Sequence, residues 1–223
     1  MQAIYNITMQ EKTIIGILGS MGSGKNTVAD ELVTNYNFQP MSMADGLKSA
    51  ISVIFGWKKE LLDGITKESR EWREQVDPWW ATRLNMPDLT PRKMLQTWGT
   101  ELVRNHFHDD TWVASMERRL AGTNSNVVIS DIRFPNEIAA IRRAGGKLIK
   151  VQRGALPPWY STAIEDVRLG NIIGPASSMS KLYPSVHYSE WAWVDERVDH
   201  VILNNGSLED LKHSLKLVMA NIV

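Results

Sequence analysis

The run Gly19-Ser20-Met21-Gly22-Ser23-Gly24-Lys25 directly follows the apolar stretch Thr13–Leu18 and directly precedes a helical pattern in which Val28, Leu32 and Tyr36 recur at i, i+4. A short, wholly apolar run suits a strand buried on both faces. Glycines after it let the backbone turn so that successive N–H groups converge on one anion. The helix N-terminus adds a partial positive charge, and Lys25 is long enough to reach the outer oxygens of a phosphate chain. An ordinary glycine-rich turn between strand and helix is the plain alternative. The lysine, its spacing and both flanking elements favour a phosphate-binding loop, or P-loop. The expected phosphate contacts are Gly19, Met21, Gly22, Ser23, Gly24, Lys25, Asn26 and Thr27.

Composition narrows the setting. At 223 residues with 43% hydrophobic content, the chain can bury one substantial α/β core. Its 25 basic and 25 acidic residues cancel, which gives no support for broad attraction to nucleic acid or membrane. With no cysteine, disulfides, thiolate metal sites and cysteine nucleophiles are excluded. The opening MQAIYNITMQEK lacks a basic start followed by an apolar run, and no apolar stretch reaches membrane-spanning length, so a cytoplasmic protein is expected.

Strand and helix patterns alternate along the rest of the chain. Strands are expected at 38–43, at Val127–Asp131, at Lys147–Gln152 and at His200–Leu203. Helices are expected at 46–55, after Thr90-Pro91, at about 110–120, after Pro135, and over a final stripe of Leu208, Leu211, Leu215, Val218 and Ile222. The helix after Thr90-Pro91 is expected to bury Leu95, Trp98 and Leu102. Residues 57–89, rich in tryptophan and charge, read as a helical and irregular insertion. Residues 154–190, rich in Pro, Ser, Gly and Tyr, read as a mobile loop or lid. The predicted fold is α/β: a P-loop NTPase with a doubly wound, five-stranded, mostly parallel sheet, a helical insertion and a lid. It is read as one domain, with its core in 13–56, 90–153 and 198–223.

The second candidate site lies where the third strand ends, at Ser130-Asp131-Ile132-Arg133-Phe134-Pro135-Asn136-Glu137. Ligands of open α/β sheets bind at the carboxyl ends of strands, so Asp131 and Arg133 are expected to point into the site. Asp131 suits a magnesium ion, held directly or through water, and Arg133 suits a bidentate grip on phosphate. The bland alternative is a turn-capping aspartate beside a structural ion pair. His106, His108, Asp109 and Asp110 cluster metal-ligand residue types, but they sit at an expected helix boundary and read as capping.

Taken together, GSMGSGKNTVAD (19–30), SMADGLK (42–48), TPRKMLQTWGTELVR (90–104), DDTWV (109–113), SDIRFPNE (130–137), HYSE (187–190) and ILNNGSLEDL (202–211) resemble the deoxynucleoside monophosphate kinases of bacteriophages. The segments stand in the expected order over most of the chain. Nucleoside monophosphate kinases commonly carry a small residue and then Thr after the P-loop lysine. GSGKNT is therefore similar to GSGKGT, with Asn26 as the departure and Thr27 as the hydroxyl expected near magnesium and phosphate. The resemblance implies transfer of the ATP γ-phosphoryl group to a deoxynucleoside monophosphate. It implies that Lys48 lies at the start of the monophosphate site. Arg92, Gln96 and Arg104, at i, i+4 and i+12, would share one helix face: Arg92 or Arg104 for the acceptor phosphate, Gln96 for the base edge. Arg153 is expected to line the phosphate channel, Arg168 to belong to the lid, and Asn205-Gly206 to lie by the adenine. HYSE reads as part of the lid base.

The acceptor is a phosphate monoester with a second pKa near 6, so it is largely ionised at neutral pH and needs no general base. Catalysis then rests on bringing two anions in line and neutralising their charge with lysine, arginine, backbone amides and Mg²⁺. Other acceptors, such as phosphomevalonate or dephospho-coenzyme A, and a non-enzymatic nucleotide switch are the competing readings. Lys48, Arg92, Arg104 and Arg133, cations beyond the P-loop itself, favour an enzyme with a second anionic ligand. Oligomeric state stays open; the Trp-rich insertion is where a symmetric homodimer would pair.

Overall fold

The computed structural model describes residues 12–172 and 174–222. In chain order the elements are β1 (Ile14–Leu18), α1 (Lys25–Tyr36), β2 (Gln39–Met41), α2 (Asp45–Phe55), α3 (Lys59–Asp63), α4 (Lys67–Arg73) and α5 (Pro78–Leu84). Then come α6 (Pro91–Gln96), a π-helical stretch (Thr97–Phe107), α7 (Thr111–Ala121), β3 (Val127–Ile129), α8 (Pro135–Arg143) and β4 (Lys147–Gln152). The chain continues through α9 (Tyr160–Leu169), α10 (Ser178–Leu182), a 3₁₀ turn (Tyr188–Glu190), β5 (His200–Leu203) and α11 (Leu208–Met219). Contacts gather these elements into two compact units, one of the chain up to Pro40 with Gly122 onward, the other of Met41–Ala121.

The first unit is built on a five-stranded sheet of order β2-β3-β1-β4-β5. β1 runs parallel to β3, with Ile15 opposite Val128, and parallel to β4, with Ile17 opposite Ile149. β4 runs parallel to β5, with Val151 opposite Ile202. Every residue of β1 is buried, as a central strand covered on both faces requires. One face packs Ile15, Ile17, Val128, Ile149, Val151 and Ile202 against Val28 and Leu32 of α1 and Leu211, Leu215 and Met219 of α11. On the other face α8 packs against β1 and β4. There Gly16 is needed for space: a Cβ would meet Ile132 Cδ1 at 2.5 Å and Leu148 Cδ2 at 2.9 Å. Helices on both faces of parallel strands make this a doubly wound α/β fold of the P-loop NTPase kind.

Local chemistry sets the helix ends. Gly24, at φ +104°, turns the chain into α1, and Pro135 occupies the first turn of α8, where its missing N–H costs nothing. Ser207 caps α11 by accepting from Asp210 N while Asp210 Oδ2 accepts from Ser207 N.

Two readings of this unit change. Residues 154–190, expected as loop, contain α9, α10 and the 3₁₀ turn around a small apolar core of Tyr160, Ala163, Met179, Trp191 and Val194. Asp166, only 1% exposed, ties α9 to the start of α10 by accepting from Ser177 Oγ at 2.8 Å, Ser178 N at 3.1 Å and Met179 N at 2.7 Å. Flanking Pro, Gly and Ser masked the short helical period there. In α11, Leu211, Leu215 and Met219 are buried and Val218 packs against the same core, as does Ile222 beyond the helix, while Leu208, in the first turn, is 52% exposed.

The second unit is helical. Its core holds Leu47, Ile51 and Phe55 of α2, Trp57, Leu62, Ala81, Leu89 and Met94, with Trp72, Trp80, Leu95, Trp98 and Trp112 packed around them. Phe55 stacks on Trp57 at 4.6 Å between centroids, and the indole N–H groups of Trp57 and Trp80 donate to Asp77 Oδ2 and the Phe55 carbonyl. Thr90 caps α6 through Lys93 N, as its Thr-Pro start predicts. From Thr97 onward, however, the chain is π-helical, with i→i+5 bonding in place of i→i+4. The 3.6-residue arithmetic therefore fails there, and Leu102, expected in the core, is 48% exposed.

Candidate active site

The glycine-rich turn joins β1 to α1 and is closed around its own lysine. Lys25 is only 8% exposed, and its Nζ donates to the carbonyl oxygens of Gly19 at 2.6 Å and Ser20 at 2.8 Å. Gly19, at φ +144°, lies so near β4 that a Cβ would collide with the Val151 carbonyl oxygen. Gly24 approaches Asn204 in the same way. Asn204, just after β5, is held at both ends: its N donates to Gln152 O at 2.7 Å and its Nδ2 to Ser23 O at 2.9 Å. The ends of β1, β4 and β5 thus fix the turn from three sides. Asn26 and Thr27 are exposed in the first turn of α1, as is Met21 in the turn itself.

Beside this turn is a cavity of about 200 Å³ lined by Ser20–Ser23, by Lys150 within β4 and Arg153 just after it, and by Tyr160 and Trp193. Among the described residues its lining has two cations and no carboxylate. Lys150 Nζ donates to the Tyr160 hydroxyl at 2.6 Å and lies 5.6 Å from the centroid of the Trp193 ring. The Ser23 hydroxyl and the Trp193 indole N–H, both buried, have no hydrogen-bond partner among the described residues. A donor-rich, carboxylate-free cavity against a glycine turn is suited to an anion.

Asp131 and Arg133 follow the end of β3, with Ile132 buried between them as an anchor. Arg133 N and Phe134 N both donate to Oε2 of buried Glu137, at 2.7 and 3.1 Å, which fixes the backbone at this corner. Arg133 Nη1 donates to Glu190 Oε1 at 2.7 Å. Burial, and then the nearby positive charge of Arg133, lower the Lys25 pKa to about 8, with Glu190 pulling the other way. Lys25, Arg133 and Glu190 therefore share one electrostatic neighbourhood. The Arg168 guanidinium forks onto Asp195 (2.7–3.1 Å), which raises its pKa, and Asn205 Oδ1 accepts from Gly154 N at 2.7 Å. Gly206 sits against Asp210, whose Oδ2 a Cβ would meet at 2.5 Å.

In the second unit, Lys48 on α2 pairs with Asp63 at 3.2 Å, and Asp63 also takes Lys59 at 3.1 Å. Arg92 and Gln96 lie on α6, Gln96 exposed. Arg104 falls in the π-helical stretch, so the shared face expected from i+12 spacing does not carry through to it. Its Nη1 engages Asp109 Oδ1 at 3.1 Å. Arg73 at the end of α4 enters the neighbourhood of Arg92: burial, and then the charge of Arg92, hold its pKa below the ordinary guanidinium value. Its guanidinium packs over Gly64, where φ is +65° and a Cβ would overlap it, and donates to Leu62 O at 3.3 Å.

A family model described as "Deoxynucleotide monophosphate kinase" matches residues 81–158. A protein of Acanthamoeba polyphaga mimivirus, whose name assigns it as a deoxynucleotide monophosphate kinase, is 35% identical over 154 residues, covering 63% of this chain and 74% of that one. The chain belongs to the deoxynucleotide monophosphate kinase family. A second member, the deoxynucleoside-5'-monophosphate kinase of Escherichia phage T5, is 28% identical over 178 residues, covering 58% of this chain and 71% of its own. Among solved structures, a dephospho-CoA kinase from Campylobacter jejuni aligns with 95% of this chain and 98% of its own at 16% identity and a TM-score of 0.44, too low to bear on activity.

For this family member, three residues beside the candidate site positions escaped the sequence reading. Asn204, not only Asn205, faces the P-loop; the Asn-Asn pair after β5 was the signal, but only the fold selects which one turns inward. Lys150 lines the cavity from mid-strand, where an isolated lysine in an apolar run was the clue. Arg73 lay in a charge-rich helix with nothing to set it apart from Arg70. Among the described residues, no helix is long and apolar enough to cross a membrane, and no group of three or more His, Cys, Asp or Glu could hold a metal ion.

Proposed function

We propose that this chain transfers the γ-phosphoryl group of ATP to a deoxynucleoside monophosphate, giving the diphosphate and ADP. The observation that carries the reading is the enclosed Lys25, folded into the glycine turn at the N-terminus of α1 with Arg133 as its cationic neighbour. Such a group of positive donors suits a polyphosphate, and family membership supplies the class of acceptor. In this reading Gly19, Met21, Gly22, Ser23, Gly24, Lys25, Asn26 and Thr27 cradle the donor phosphates. Arg153 and Lys150 line the channel, and Asn205 and Gly206 lie toward the adenine. Arg92, Gln96 and Arg73 hold the acceptor, and Lys48, Arg104 and Arg168, each already paired with an aspartate, join the set by exchanging that partner for phosphate.

Magnesium fits the residues at hand. Thr27 offers an exposed hydroxyl and Asp131 a carboxylate, both hard oxygen donors, and Mg²⁺ is ordinarily completed by water and substrate phosphates rather than by an all-protein cage. When bound, the ion would neutralise charge on the phosphates. The protein's part is positional: Lys25 and the turn amides hold the donor, and Arg133 meets charge developing on the transferring group. The acceptor oxygen is already ionised, so no side chain has to remove a proton.

The test is coupled ADP release from ATP with Mg²⁺ and each dNMP and NMP in turn, with Lys25→Ala as control. Stimulation by dNMPs that is lost in the variant is expected. Absence of stimulation by any nucleotide would sink the reading.

A further inference from the structure

The Arg133–Glu190 pair joins two segments 57 residues apart, and both ends are braced. On the arginine side, Ile132 is buried and the amides of Arg133 and Phe134 are taken up by Glu137. On the glutamate side, Glu190 closes a 3₁₀ turn through Glu190 N→His187 O at 2.9 Å, and the next residue, Trp191, is buried. The Tyr188 ring in that turn packs 4.8 Å from Trp191 and 5.9 Å from Phe134, so the turn and the arginine corner also meet through aromatic contact. Glu190 is therefore held by its surroundings, whereas a carboxylate free to swing away would lie on an unbraced loop.

A carboxylate at an anion site would repel phosphate unless it served another group. Here it takes one nitrogen of a guanidinium that carries five N–H donors, and among the described residues no other acceptor meets Nε or Nη2. Without that tether, repulsion from Lys25 and the freedom of a long side chain would both draw Arg133 out of register. We propose that Glu190 is a positioning residue for phosphoryl transfer, holding Nη1 of Arg133 so that the remaining N–H groups are presented to the transferring phosphate. The inference rests on the kinase reading above.

The test is a double-mutant cycle of Glu190→Gln and Arg133→Met in the full chain, read by dNMP-dependent ADP release and, where turnover is slow, by single-turnover transfer from labelled ATP. Glu190→Gln should lower kcat by about 10- to 100-fold, since slight misplacement of a charged group is costly. KM for ATP and for dNMP should each stay within about threefold. In the Arg133→Met background the same change should cost less than about twofold, because a residue acting through Arg133 has nothing left to act on. Glu190→Asp, which keeps the charge on a shorter arm, should fall between Gln and wild type and serves as the measure if the Gln variant does not fold. An unchanged kcat in Glu190→Gln, tighter ATP binding with raised turnover, or a full loss repeated in the Arg133→Met background would each overturn the inference while leaving the kinase reading intact. A wild-type chain with no dNMP-stimulated release would overturn that reading and this inference with it.

Discussion

Asn204 Nδ2 donates to the carbonyl oxygen of Ser23 at 2.9 Å, so the end of β5 holds the glycine turn in place across 181 residues of sequence. Because both atoms are buried, Asn204→Ala leaves an acceptor without water or partner. We expect a loss of about 1–3 kcal/mol in chemical denaturation and a raised KM for ATP. Asn204→Asp, which offers an acceptor where a donor is needed, should be at least as damaging. A variant with wild-type stability and KM would show that the turn holds itself.

The lowered pKa of Lys25 gives two opposite pH effects. The ammonium is the form that attracts phosphate, so ATP affinity in the free protein should weaken as pH rises through about 8, with proton uptake on binding near that pH in calorimetry. Stability runs the other way. The unfolded chain holds this proton up to the ordinary lysine value of 10.5 and the folded chain only to about 8, so this group's contribution to stability rises with pH between the two. Lys25→Met should remove both dependences.

Gly19 and Gly22 separate crowding from strain. Both have positive φ, but a Cβ at Gly19 meets the Val151 backbone, whereas at Gly22 nothing lies within 4 Å. Gly22→Ala should cost about 1 kcal/mol, the left-handed penalty alone. Gly19→Ala should cost about 3 kcal/mol or more and abolish ATP binding, since backbone cannot move aside. Thermal melting and equilibrium ATP binding check both.

Asp166 is the buried keystone of α9 and α10. Burial pushes its carboxyl up, but the amides of Met179 and Ser178 and the Ser177 hydroxyl outweigh this and leave it below the usual carboxylate value. A depressed carboxyl contributes stability that is present above its unfolded value of 3.8 and lost as pH falls below it. Asp166→Ala should destabilise by about 3 kcal/mol, because three donors lose their acceptor at once. Hydrogen exchange should show the loss concentrated in residues 160–182.

Arg73 and Arg92 are neighbouring cations whose mutual repulsion, only partly offset by Glu74 and Asp63 beside Arg73, an acceptor phosphate would relieve. Arg73→Ala should raise KM for dNMP by about 10-fold or more while KM for ATP stays within about twofold. Equal effects on both substrates would assign Arg73 to packing.

The sequence by itself determined what depends on neighbours in the chain. An apolar run, glycines and a lysine in order specify strand, turn and helix, so β1, the P-loop and α1 could be placed from residues 13–36 alone. The same holds for the β4 and β5 bounds, for the Thr90 and Pro135 helix starts, and for Asp131 and Arg133 at a strand end. What needed tertiary structure was set by partners distant in sequence. Nothing near Arg133 announces that Glu190 meets it, nor does anything near Ser23 announce Asn204. The period of residues 90–104 could not reveal the change to π-helix at Thr97 that leads Arg104 to Asp109, because helix type follows hydrogen bonding rather than side-chain spacing. Residues 154–190 read as loop since their helices are short and gain their stability from one another, through Tyr160, Met179, Trp191 and the buried Asp166, and not from local propensity.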